Sequence, residues 1–408
     1  MKALFAGGTP HPPALFFMNA DVRILRNPQL AIAPSDDGYL AYNIENAQLH
    51  RLNTAASLII EISNAKHTVS EVCRQIAPLL GNPDVSEMMQ WVQTAISEGL
   101  LKSLQPGEAI PSATPPEEFV STAKELRSEG MVLAAFVCQH YATFMLPDDP
   151  DHWLALGELA HIVGRREDAR DAYERYVQFE PDDAETAQIL VSLRNEPPPP
   201  RAPDRCIEQL YARFADFYEA NMCGNLEYQA PERLAESLNA ELGTTENFEV
   251  LELGCGTGLA APILRKRAKY LYGIDLSPQM AARAEATGLY DRIDVAEITE
   301  WLSRLNAGPF DLIAACDTFI YFGDLQQVIA PAATLLQPGG CMAFTVERGE
   351  TVPFQLTDSG RYTHSETHIR DVATLAGLRV ASLTEGFLRY EYGKPVVGLV
   401  TVLRKDQA

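Results

Sequence analysis

The stretch Val250-Leu251-Glu252-Leu253-Gly254-Cys255-Gly256-Thr257-Gly258-Leu259 joins an apolar run to three alternate glycines. Glycines so spaced let a backbone turn sharply and come close to a ligand, where a Cβ would intrude. The pattern is G-x-G-x-G, and Leu259 stands where a dinucleotide-binding G-x-G-x-x-G wants its third glycine. Glu252, two residues before Gly254, would repel a pyrophosphate and suits the ammonium group of a ligand. Asp275 closes a second run, Tyr270-Leu271-Tyr272-Gly273-Ile274, at a separation that suits one βαβ unit, and its carboxylate can accept both hydroxyls of a ribose. On the glycine loop alone, a nicotinamide dinucleotide site and a purely structural turn stay open.

The residues that follow narrow the choice. Asp275-Leu276-Ser277-Pro278-Gln279-Met280 passes from strand to helix, and Ile293-Asp294-Val295-Ala296-Glu297-Ile298 reads as a third strand. Asp311 to Asp317 is apolar between two acids, as a strand covered on both faces would be. Leu335-Leu336-Gln337-Pro338-Gly339-Gly340 and Cys341 to Val346 read as helix, turn and fifth strand. Five motifs in this order resemble the class I S-adenosylmethionine (SAM)-dependent methyltransferases. The resemblance implies a Rossmann-like α/β domain with a mostly parallel seven-stranded sheet, and SAM as cofactor. It places Glu252 at the ammonium, the loop residues Gly254, Cys255, Gly256 and Gly258 against the cofactor, and Asp275 on the ribose. Leu276 and Met280 would flank the adenine, Glu297 with its neighbour Ile298 would meet the adenine amino group, and Asp317 would emerge beside the sulfonium. Tyr211 to Tyr218, Tyr-Ala-Arg-Phe-Ala-Asp-Phe-Tyr, resembles the lid helix of small methyltransferases and brings Tyr211 to the cofactor; an aromatic stripe that is simply core is the alternative. For Cys255, packing explains the position better than nucleophilic catalysis.

Methyl transfer from a sulfonium asks mainly for alignment and exclusion of water, with a positioned base only for acceptors such as an alcohol or amide. Asp317 and Tyr321, at the mouth of the fourth strand, are expected to touch donor or acceptor. His364, flanked by Arg361 and Tyr362, is the candidate base or orienting group, with a structural hydrogen bond as the alternative. Arg361 could hold a substrate carboxylate through a bidentate contact. The segment Ser359 to Ser365, with Phe387 to Glu391 and Pro395 to Val400, resembles the C-terminus of tetratricopeptide-containing methyltransferases, which implies a last helix and an antiparallel strand pair.

The elements that must hold these residues belong to a chain of 408 residues, too long for one ordinary core. Its 55 acidic and 33 basic side chains, net charge -22, oppose nucleic-acid and anionic-membrane partners. Seven cysteines without a C-x-x-C or Cys/His cluster argue for a reducing compartment and no metal site. No apolar run is long enough to span a bilayer, and Pro10, Pro12 and Pro13 interrupt the N-terminus as a secretion signal, so a cytoplasmic location is expected. Proline clusters divide the chain into an N-terminal extension (1–23), a winged-helix-like α+β domain (24–104), a linker (105–116), an all-α helical region (117–196), a stiff proline-rich spacer (197–204) and the α/β domain (205–408). The expected fold class is thus multidomain α/β.

In the first domain, Leu30-Ala33, Tyr39-Ile44 and Gln48-Leu52 read as strands, and Thr54-Ser63, Val69-Leu80 and Val85-Glu98 as helices, the last two capped by Thr68 and Asp84. This order, with NPQLAIAPSDDGYLAYNIENAQLHRLN and TAASLIIEI, resembles the pyrroloquinoline quinone biosynthesis protein D family of peptide chaperones. The resemblance implies that a leader peptide adds as a strand between the third strand and third helix, here Gln48-Leu52 and Asp84-Glu98. A winged fold used only for packing or dimerisation is the alternative. In the next region Gly130, Ala135 and Pro147 recur at Gly164, Ala169 and Pro181, the 34-residue tetratricopeptide period, with Trp153, Leu156, Gly157 and Tyr173 in the repeat's places. Two such hairpins read as an interdomain brace, or alternatively as a peptide-binding concave face. The combined expectation is a SAM-dependent methyltransferase that captures a ribosomally made precursor peptide and methylates its core. A small-molecule methyltransferase and a SAM-binding scaffold without turnover are the alternatives, and a homodimer is left open.

Overall fold

The computed structural model describes residues 21–81, 84–214, 218–220, 222, 224, 226–303, 308–350, 352–391 and 393–407. Most of the N-terminal extension and residues 215–217 of the lid segment therefore lie outside the described residues. The chain falls into two compact units that meet between Phe179 and Glu180.

The first unit begins with β1 (Arg23–Arg26), β2 (Leu30–Ser35), β3 (Gly38–Asn43), β4 (Gln48–Asn53), α1 (Thr54–Ile62), β5 (Asn64–Thr68), α2 (Val69–Ile76), α3 (Val85–Ser97) and β6 (Leu101–Leu104). Two three-stranded antiparallel sheets result, β2-β3-β4 and β5-β1-β6. The strands and helices expected between 30 and 98 are present; β1, β5 and β6 were not anticipated, being four- or five-residue strands that mix polar and apolar positions. Thr68 and Glu71 form a reciprocal capping box on α2, and Asp84 caps α3 by accepting from the Ser86 N–H. Ile24, Leu30, Ile59, Ile60, Val69, Met88 and Val92 are fully buried together. Three asparagines clamp the end of α3: Asn27 and Asn43 donate to the Gly99 carbonyl at 2.7 and 2.9 Å, and Asn46 donates to that of Glu98 at 3.0 Å.

Four helices complete this unit: α4 (Pro116–Ser128), α5 (Val132–Met145), α6 (Pro150–Ile162) and α7 (Arg166–Phe179). They pair as α4/α5 and α6/α7. Gly157 faces the Tyr173 ring so closely that a Cβ would lie 2.5 Å from it, which is why that position needs glycine. Trp153 Nε1 donates to the Pro147 carbonyl at 2.8 Å and joins the helix to the turn before it.

The second unit contains α8 (Ala184–Leu193), α9 (Asp204–Phe214), a short turn of helix α10 (Tyr218–Ala220), α11 (Ala230–Leu242), β7 (Phe248–Leu253), α12 (Ala261–Arg265), β8 (Ala268–Asp275), α13 (Pro278–Ala286), β9 (Arg292–Val295), α14 (Ile298–Leu302) and β10 (Phe310–Ala315). It closes with α15 (Gln326–Leu335), β11 (Leu336–Arg348), β12 (Phe354–Leu356), β13 (Tyr362–His364), α16 (Glu366–Leu375), β14 (Leu378–Glu391) and β15 (Lys394–Lys405). α8 was expected to end the preceding helical region; it packs instead against α9 in this unit.

β9-β8-β7-β10-β11 run parallel, and β15 and β14 continue the sheet antiparallel. These are the seven strands expected, but the sheet has nine among the described residues. The extra ribbon β12-β13 attaches at Glu347 and Arg348, where β11 runs on beyond its pairing with β10. Alternate residues of the central strands bury on opposite faces: Leu251, Leu253, Ile313 and Phe344 on one, Val250, Leu312, Ala314 and Ala343 on the other. Coverage on both faces is what the unbroken apolar runs encode, and each fully buried leucine contributes roughly 1.5–3 kcal/mol. The chain turns from β7 to β8 on one side and reaches β10 on the other, so a crevice opens at the carboxyl ends of β7 and β10, where open α/β sheets bind ligands. No helix among the described residues is long and apolar enough to cross a membrane.

Candidate functional site

At this switch point lies a cavity of about 670 Å³, part of it open to solvent. Gly254 and Gly256 have φ of +71° and +55°, which L residues seldom adopt. A Cβ on Gly254 would also lie 2.4 Å from Thr318, so that glycine sits against the β10 loop, whereas Gly256 has open space before it. The Gly254 and Cys255 N–H groups donate to the Ile274 carbonyl at 2.8 and 2.9 Å, which folds the loop onto β8.

Each parallel strand delivers an acid. Asp275, at the end of β8, accepts from the Gly256 N–H at 2.7 Å and the Ser277 N–H at 2.8 Å. Burial pushes its carboxyl up to about 6, against the pull of those donors. Glu297 follows β9 and caps α14, accepting from the Glu300 N–H at 2.8 Å. Asp317 follows β10 with φ +56°, held by its N–H donating to Thr345 Oγ1 at 2.8 Å. Its Oδ2 accepts from Arg389 at 2.6 Å, while its Oδ1 is fully buried without a partner. Burial raises this carboxyl, and Arg389 opposes the rise.

Of the residues expected on the cofactor, Tyr211, Gly254, Gly256, Asp275, Leu276, Met280, Glu297, Ile298 and Asp317 line the cavity, as does Tyr321. Tyr211 and Tyr321 share a hydrogen bond between their hydroxyls at 2.8 Å. Glu252, Cys255 and Gly258 lie behind the wall. Glu252 is 1% exposed and accepts from the Tyr290 hydroxyl at 2.7 Å; burial pushes its carboxyl up to about 8. The Cys255 thiol is buried and raised well above its ordinary range, which suits packing rather than nucleophilic attack.

Two expected catalytic residues stand elsewhere. His364 is fully buried, and its Nε2 meets the Phe322 and Gly323 carbonyls at 2.8 and 3.1 Å, so Nε2 carries the proton and donates. Burial pushes its imidazole down to about 4, so the ring is neutral at physiological pH. Its place is that of a structural hydrogen bond, not of a base facing the cavity. Arg361 spends Nε on Glu347 at 3.1 Å and Nη2 on Glu391, so its Nε/Nη2 edge is taken up by the protein's own carboxylates, and it does not line the cavity.

The segment read as a stiff spacer, 197–204, is a wall of the site. The Gly323 N–H donates to the Pro200 carbonyl at 2.8 Å, the Ala202 N–H to the Tyr321 carbonyl at 2.8 Å, and the Tyr362 hydroxyl to the Pro199 carbonyl at 2.7 Å. Arg201, Ala202 and Asp204 thereby line the cavity, and Arg201 pairs with Asp204. Composition marks proline as stiff and says nothing of docking, so these residues were not foreseen. Tyr218, Cys316, Thr318 and Phe322 were also passed over as lining residues, although each lies in or beside a quoted motif.

The cradle fits a SAM molecule. Acids stand at the ends of three successive strands, apolar Leu276 and Met280 lie beside Asp275, and Thr257 Oγ1 in the glycine loop is buried without a partner. The family model described as "Methyltransferase domain" matches residues 251–344. The chain is 28% identical over 182 residues to human methyltransferase-like protein 27, a match spanning 44% of this chain and 69% of that protein. It is 28% identical over 169 residues to the erythromycin 3''-O-methyltransferase of Saccharopolyspora erythraea, spanning 37% of this chain and about half, 54%, of the relative. A solved structure, the Burkholderia thailandensis 1,6-didemethyltoxoflavin-N1-methyltransferase with 1,6-didemethyltoxoflavin and S-adenosylhomocysteine, is 19% identical, with 52% of this chain and 93% of that one covered and a TM-score of 0.40. The second unit carries a class I SAM-dependent methyltransferase domain, and its cofactor is S-adenosylmethionine.

Proposed function

We propose that the protein methylates a peptide, and that its N-terminal unit holds a leader segment of that peptide while a core residue enters the cavity. The observation that carries this reading is the free edge of β4. Among the described strands β4 pairs with β3 alone. Leu49 on β4 is exposed, and His50 Nδ1 stands 3.7 Å from Glu98 at the end of α3, so the strand and the end of that helix lie side by side. An edge of this kind offers a row of unpaired N–H and C=O groups to an added strand. Capture there would raise the local concentration of a weakly binding core.

At the cavity, Asp275 would hold the ribose and Glu297 the adenine amino group, while Glu252, behind the glycine loop and steadied by Tyr290, would balance the ammonium by its charge without touching it. SAM supplies a methyl group already activated on a sulfonium. The remaining work is the protein's: Tyr211 and Tyr321 close over the site, the strap from Pro199 to Asp204 walls it from water, and Asp317 faces the acceptor.

Co-expression with each short open reading frame encoded beside the gene, followed by mass analysis, tests the reading. A gain of 14 Da on a leader-bearing peptide, with a KM at least tenfold lower than that of its leaderless core, is expected. Full methylation of the leaderless core with an unchanged KM would remove leader capture. The second reading, a small-molecule methyltransferase, is favoured by the tyrosine-lined cavity and by relatives whose names give small acceptors.

A further inference from the structure

The cavity wall carries four acids, Asp204, Asp275, Glu297 and Asp317, and among the described residues one cation, Arg201, already paired with Asp204. Asp275 and Glu297 accept from backbone N–H groups at the cofactor end. Asp317, its side chain 9% exposed, differs in that its Oδ1 has no partner. A buried carboxylate oxygen left without a donor is costly, a cost sustained where a ligand donor restores the bond. Its left-handed backbone places strain at the same residue.

Behind Asp317 stands a fixed counter-charge. Arg389, 4% exposed, divides its guanidinium between Asp317 and Glu347; Glu347 also takes Arg361, and Arg361 takes Glu391. Three carboxylates and two guanidiniums leave one net negative charge and no cation free to receive an anionic acceptor. Tyr211, Tyr218 and Tyr321 supply ring faces and edges around the same space, the first lying 5.8 and 6.2 Å from the other two. Negative charge with aromatic walls favours a cationic ligand group.

We propose that the acceptor is an amine oriented by Asp317 Oδ1, with Arg389 as the positioning residue that keeps Asp317 ionised and aimed. The proposal rests on the methyltransferase reading and holds whether the amine belongs to a peptide or a free molecule. The amine arrives as an ammonium and gives a proton to solvent. The nitrogen lone pair then forms the C–N bond while the S–CH3 bond breaks with its electron pair on sulfur. A second nitrogen proton passes to Asp317 Oδ1 and on to solvent. An alcohol would need a stronger base than a carboxylate, and a carboxylate acceptor would be repelled.

The test uses the full chain and three probes, 2-phenylethylamine, p-cresol and 3-phenylpropionate, titrated by ligand-observed NMR into protein saturated with S-adenosylhomocysteine. The amine is expected to bind at least tenfold tighter than either other probe. In D317N that preference should fall below threefold while the affinity for S-adenosylhomocysteine, which carries no sulfonium charge, changes less than threefold by calorimetry. In R389M the amine preference should be lost at pH 7 and return at higher pH, because Asp317 without its counter-cation ionises later; R389K should restore it. A purely structural Arg389 would not move that midpoint. Equal or tighter binding of p-cresol or 3-phenylpropionate, an amine preference retained in D317N, or a large loss of S-adenosylhomocysteine affinity in D317N would overturn the amine assignment while leaving the methyltransferase reading intact. Failure of the wild-type chain to bind either SAM or S-adenosylhomocysteine would overturn that reading and the amine with it.

Discussion

Replacing Glu252 by glutamine should stabilise the SAM-free protein at alkaline pH while weakening SAM binding. Glu252 is buried beneath the glycine loop, with the Tyr290 hydroxyl as hydrogen-bond donor and Asp275 as a like-charged neighbour. Its carboxyl rises from an ordinary 4.5 to about 8. Because the folded value lies above the unfolded one, the native state binds the extra proton between them, and stability falls as pH rises from 4.5 through about 8. At 1.36 kcal/mol per unit the full span would be roughly 5 kcal/mol. Relaxation and water entry on ionisation, with the cost of seating the glutamine NH2, reduce the expected gap to roughly 1–2 kcal/mol. For a domain of this size that corresponds to about 2–8 °C in melting temperature at pH 8.5, shrinking toward zero near pH 5. Differential scanning fluorimetry across pH reads the gap. Calorimetry in buffers of different ionisation enthalpy should show wild type releasing a proton on binding SAM at pH 7, and E252Q releasing none. A melting difference independent of pH, or SAM binding without proton release, refutes the reasoning.

Three further outcomes follow from the same geometry. Gly254→Ala should cost roughly 2–3 kcal/mol in urea unfolding, since its Cβ meets Thr318 at 2.4 Å on a left-handed backbone, whereas Gly256→Ala, strained but facing open space, should cost about 1 kcal/mol. Asp275→Asn should raise the calorimetric Kd for SAM at least thirtyfold and leave the far-UV circular dichroism unchanged, because an amide replaces one acceptor oxygen with a donor. His364→Ala should lower stability by roughly 1–3 kcal/mol near pH 7. Its imidazole is held down near 4, so the wild-type protein should itself lose stability as pH falls from 6.5 through 4, with no inflection in its pH–rate profile that disappears in the variant.

The cofactor side of the cavity was legible because its determinants are local. Gly254 and Gly256 lie in one glycine loop and Asp275 ends the very next strand, and Ser277 to Met280 opens the next helix with its own cap. Periodicity likewise disclosed β2, β3, β4 and their helices. The acceptor side was not readable in this way. Asp317 meets Arg389 across 72 residues and Arg389 meets Glu347 across 42, and no spacing rule selects those pairs from the other arginines and acids. Arg361 and His364 were chosen for their chemistry, yet each is consumed by partners that folding brings from elsewhere, Glu347 and Glu391 for one and backbone carbonyls for the other. The short strands β12 and β13 needed the overhang of β11 to pair with, which local sequence does not announce.

The stretch that carries the family pattern, 251–344, is only the hub of the cavity. Arg201, Asp204, Tyr211 and Tyr218 arrive from the chain before it, and Arg389 arrives from after it. Much of the frame around the acceptor therefore comes from outside the stretch that grips the donor, although Asp317 and Tyr321 lie within it. Exchanging the segment from Pro199 to Tyr218 between two such proteins should change which acceptor shapes fit, and leave both the preference for an amine, set by Asp317 and Arg389, and the grip on the donor where they were. Trimming to the recognisable motif would instead leave a methyl donor with nothing beside it to modify.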